Sequence, residues 1–192
     1  MNSKQPVLFV IGQLLSEHIE SIKEKLTDKM KIYFVGTDEN ELKKFSAGKK
    51  LIVNESIRDF YIDDSILFLN QKEFDNLHKA ILYLCGDTTS MMVLFAIEDP
   101  LALSVTPLFA RAADEKEIDP SFIAVKLHKN EDKVTSENLD FFLKNRYRLY
   151  LLERAMNDFS LKANEEKSKN ELLMIVINSV VKSFKQAELN NL

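Results

Sequence analysis

Residues able to do chemistry are few in this chain, and they are not spaced as the usual chemistries require. Two pairs of adjacent carboxylates, Asp63-Asp64 and Glu98-Asp99, could hold a metal ion or share an acid–base task. Consecutive side chains on a strand point to opposite faces, so either pair would need a loop to bring its members together, and solvated loop acids are the expected reading. Ser104 and Ser121 have no evident histidine partner, and a serine hydrolase would need a sharp glycine-flanked elbow. His18, His78 and His128 sit in separate segments without paired spacing, so no metal centre is expected. The single cysteine, Cys85, excludes an internal disulfide and any site built on several thiolates. In "AILYLCGD" it falls on an apolar helix face, which makes it a buried structural thiol rather than a nucleophile.

Phosphate chemistry is the next candidate, and here the decisive number is four glycines in 192 residues. Glycine lets a backbone approach phosphates and present several amides to them, because it lacks a β-carbon and accepts positive φ. Neither G-x-G-x-x-G nor G-x-x-x-x-G-K-[ST] occurs, and the loop after the first apolar run, "GQLLSEH", holds one glycine. The stretch "MMVLFAIEDPLALSVTPLFARAADEKEIDPSFIAVKL" reads as strand, short loop, helix, turn and strand. Its loop, "EDPLALS", offers acids and a proline where phosphate would need amides. A receiver-type phosphoacceptor, with an Asp at one strand end and a Thr and Lys at later ones, is only loosely suggested by Thr37-Asp38, Asn54, Glu98-Asp99 and Lys126.

The elements that would position these residues follow from hydrophobic periodicity. "VLFVIG", "KIYFVGTD", "KKLIVNESI", "MMVLFAI", "SFIAVKL" and "RLYLL" are short apolar runs of the kind that form strands buried on both faces, and "SILFLN" could add another. Between them lie helical patterns: "SEHIESIKEKL" behind a Ser16 cap, "ENELKKF", and a segment from Gln71 to about Leu84 with Phe74, Leu77, His78, Ile81 and Leu82 on one side. "VTPLFARAADEK", "SENLDFFLKNRY" and a terminal helix through "KNELLMIVINSVVKSF" complete the series. Strands alternating with helices predict an α/β fold with a mostly parallel, Rossmann-like sheet covered by helices on both faces.

Composition sets the outer bounds. Apolar residues make up 45% and charged residues 29%, which is ordinary for a globular chain and consistent with one domain over residues 1–192, ending in a long helix at about 165–187. A net charge of −4 argues against nucleic acid or anionic lipid as an obligate partner. Lys43, Lys44, Lys49 and Lys50 form a short, interrupted basic group best read as solvated surface. No run is long enough to span a bilayer, and "PVLFVIGQLL" carries a polar break and lacks a cleavage site, so a cytoplasmic location without membrane insertion is expected.

The order of these segments resembles the tubulin-like GTPases, specifically those of the FtsZ type. "KIYFVGTDENELKKFSAGKKLIVNESI" is similar to that family's second strand, Asn-Thr-Asp loop, short helix and third strand. The Met91–Leu127 stretch quoted above resembles its strand, glycine-rich signature loop, Ala-Pro-rich helix and following strand. "NLDFFLKNRYRLYLLERAMND" looks like the segment before the guanine-contacting loop, and "NELLMIVINSVVKSF" like the long central helix. The resemblance implies a nucleotide face at Gly12, Gln13, Thr37, Asp38, Glu98, Asp99, Pro100 and Ser104, of which only Thr37-Asp38 keeps the family's residues. Glu98 and Asp99 would repel a triphosphate, Pro100 removes a donor, "RDFYIDDS" stands for the third glycine loop, and the guanine-reading acid would fall near Met174 or Ile175. The expectation is a degenerate domain comprising the family's first half and central helix, with no cofactor and no GTPase activity.

What remains for such a domain is protein recognition, in cell division or cytoskeletal assembly, with FtsZ or a second copy of this chain as partner. Leu101 and Leu103 in the altered loop, and Leu172, Ile175 and Ile177 on the last helix, are the candidate contact residues; intramolecular packing of that helix is the alternative. Two other functions compete: a small nucleotide switch using Thr37, Asp38 and Lys126 or Lys129, and a receiver-like regulatory domain. Strand order discriminates the latter.

Overall fold

The computed structural model describes residues 5–12, 30–38, 49–58, 71–88, 90–97, 99–125 and 148–151. Six strands are formed: β1 (Val7–Ile11), β2 (Lys31–Gly36), β3 (Lys49–Ile52), β4 (Ser90–Ala96), β5 (Asp119–Val125) and β6 (Arg148–Leu151). They make one sheet in the order β3-β2-β1-β4-β5-β6, with every neighbouring pair parallel. This is the doubly wound arrangement, and its order reverses between β1 and β4, where ligands of such sheets ordinarily sit. The receiver-like alternative is overturned here, because that fold follows the order 2-1-3-4-5.

Parallel strands must be connected over their faces, so their side chains are buried on both sides. Val7, Leu8, Phe9, Val10 and Ile11 are all buried, as are the seven residues of β4, which explains why these segments read as continuous apolar runs. Three helices are described: α1 (Glu55–Arg58), α2 (Gln71–Cys85) and α3 (Pro100–Glu115). Phe9 is the centre of the core on their side. It stacks on Tyr33 at 5.4 Å between ring centroids and meets Phe109 of α3 at 4.7 Å. Burying one such ring contributes about 1.5–3 kcal/mol. Phe74, Leu77 and Ile81 of α2 join the same cluster.

Two boundaries differ from the sequence reading, each for a local reason. The run "KKLIVNESI" is not one strand. β3 ends at Ile52, the Val53 amide makes a last bond to the Gly36 carbonyl at 2.9 Å, and the Asn54 carbonyl then accepts from the Ile57 amide to open α1. Likewise, "EDPLALS" is largely helix. Asp99 is the N-cap of α3 and Pro100 fills its first position, where a fixed φ suits the helix and a missing amide costs little.

That earlier start changes the fate of two candidate contact residues. Leu101 and Leu103 are 3% and 9% exposed, because the first turn of α3 lays them against the core rather than on a loop surface. Neither therefore presents an exposed side chain. The helical readings of "SEHIESIKEKL", "ENELKKF", "SENLDFFLKNRY" and the terminal segment with Leu172, Met174, Ile175 and Ile177 lie outside the described residues, as do "SILFLN", Asp63-Asp64, Gln13, Glu98, Lys126 and Lys129.

At its far end α3 closes with a Schellman arrangement. The Glu117 amide donates to the Asp114 carbonyl and the Ile118 amide to the Ala113 carbonyl, with Glu117 at φ 54°. Glycine usually holds that position.

Candidate functional site

The switch point between β1 and β4 is where a doubly wound sheet would place a ligand, and two residues meet there. Gly12 follows β1 with φ +90°, and its amide donates to the Val35 carbonyl at 2.9 Å. Asp99 follows β4 and is 5% exposed. A β-carbon added at Gly12 would lie 2.0 Å from Asp99 Oδ2 and 2.4 Å from its Cγ. The carboxylate therefore occupies the space that the missing side chain leaves.

The same carboxylate also satisfies the start of α3. Asp99 Oδ1 accepts from the Leu101 amide at 3.0 Å and, more weakly, from the Ala102 amide at 3.4 Å. Pro100 has no amide to give, and the Leu103 amide already donates to the Asp99 carbonyl at 3.1 Å. Every amide in the first turn thus has a partner within the chain or does not exist. A helix N-terminus ordinarily attracts anions through such free amides and its partial positive charge. Here an internal carboxylate takes both.

Other predicted positions gather around the same sheet edge. Thr37 and Asp38 follow β2 and are half-buried. Asn54, after β3, donates through Nδ2 to Glu73 Oε1 at 2.6 Å, which ties that strand end to the first turn of α2. Ser104 is buried one turn into α3, and its hydroxyl donates back to the Pro100 carbonyl at 3.0 Å. The edge formed by these described residues carries acids and amide side chains, and the Gly12 amide is already bonded within the sheet. Among the described residues, no group of three His, Cys, Asp or Glu could hold a metal ion.

Cys85 matches its sequence reading. It is buried at the end of α2, with Sγ 3.7 Å from Met91 Sδ, and burial pushes its thiol up from 9.0 to about 11, partly offset by the Lys116 ammonium. A thiol held neutral is a poor nucleophile. Sequence reasoning missed the contact of His78 Nε2 with Glu115 Oε2 at 2.9 Å, which links α2 to the last turn of α3. No sequence signal marks that pair, since 37 residues separate its members. The Gly12–Asp99 fit was also missed, although "Asp-Pro" before an apolar run is a recognisable helix start.

Comparison with known proteins gives a likeness of structure without one of sequence. No family model matches the chain, and no curated protein matches it. Among solved structures, FtsZ of M. jannaschii superposes with a TM-score of 0.69 at 13% identity, covering 94% of this chain and 54% of that one. CetZ of Methanosaeta thermophila gives 0.63 at 16% identity over 93% of this chain and 53% of its own. TubZ of Clostridium botulinum phage c-st gives 0.62 at 15% identity over 88% and 57%. The chain spans about half the length of each of these proteins. No described helix is long and apolar enough to cross a membrane. The six-stranded order, the parallel ladder and these superpositions agree, and the chain has an α/β fold of the tubulin/FtsZ type.

Proposed function

We propose that this chain is a non-catalytic domain of the FtsZ/tubulin type that works through protein–protein contacts, as a regulator or accessory factor in cell division or cytoskeletal assembly. The observation that carries the reading is the Asp99 carboxylate, which sits against Gly12 and takes the first-turn amides of α3. An incoming triphosphate would meet a buried negative charge where it needs donors, and two like charges at such range repel strongly in a low dielectric. The scarcity of glycine in the chain supports the same conclusion.

A partner of the same fold is the natural one. One of the FtsZ structures that this chain resembles is an empty dimer, which supports self-association as the kind of contact proposed. The partner is accordingly FtsZ or a second copy of this chain. Sedimentation of the purified protein with and without GTP and magnesium tests the proposal. The expected result is an assembly state that is the same in both conditions. An assembly state that changes with GTP would overturn it.

A further inference from the structure

We draw no further inference here: the strongest candidate, the contact of buried His78 with exposed Glu115 where α2 meets the last turn of α3, leaves His78 Nδ1 without a hydrogen-bond partner among the described residues, but no third ligating group there points to a ligand or partner.

Discussion

The Asp99 carboxylate lies where the β-carbon of any residue but glycine at position 12 would have to be. This contact joins the ends of the two strands that flank the switch point, and it accounts for a glycine that would otherwise look like the remnant of a phosphate loop. Gly12→Ala is expected to cost about 2–4 kcal/mol, from steric overlap with a buried group and from a positive φ that alanine adopts poorly. Urea denaturation measures it. Combining Gly12→Ala with Asp99→Gly should recover part of the overlap cost, so the two losses should fall short of additive. Strict additivity would mean that the two residues do not meet.

Asp99 itself should rank its substitutes by their ability to accept from α3. Asp99→Asn keeps a side-chain oxygen toward Leu101 and should lose little, whereas Asp99→Ala removes the cap and should cost about 1–2 kcal/mol. Thermal melts of the two variants check this order. Equal losses would indicate that the cap contributes nothing.

Fold and site were legible to different degrees. Period and run length revealed the strands, because a segment buried on both faces, such as Val7–Ile11 or Met91 to Ala96, has to be apolar throughout. The element boundaries at Asn54 and Asp99 were less clear, since each depends on one capping or turn contact rather than on a pattern. Burial of Leu101 and Leu103 followed from the boundary error: shifting the helix start to Pro100 turns loop residues into core residues. The Gly12–Asp99 contact joins positions 87 residues apart, a distance over which local spacing carries no information.

Glu117 offers a stabilising change. It occupies the left-handed position after α3, at φ 54°, where a β-carbon is disfavoured. Glu117→Gly should raise stability by about 0.5–1 kcal/mol, after allowing for the greater freedom of glycine in the unfolded chain. An unchanged or lower denaturation midpoint would contradict the Schellman geometry at this end.

Cys85 predicts a pH dependence with a definite sign. Its folded thiol titrates at about 11 against an ordinary 9.0. A raised pKa means that the folded state holds its proton more tightly. The associated stability is complete below pH 9.0 and is lost as pH climbs toward about 11. Thiol-reactive dyes should accordingly label the native protein very slowly at pH 7 and rapidly in denaturant. Fast labelling of the native state would mean that the thiol is neither buried nor neutral.

Calorimetric titration with GTP and with ATP, each with magnesium, decides whether the Asp99 carboxylate stands in the place of a nucleotide at the switch point. No saturable heat is expected from either nucleotide. Saturable binding at micromolar concentration would contradict it, and would point instead to a switch that holds nucleotide with side chains such as Thr37 and Asp38.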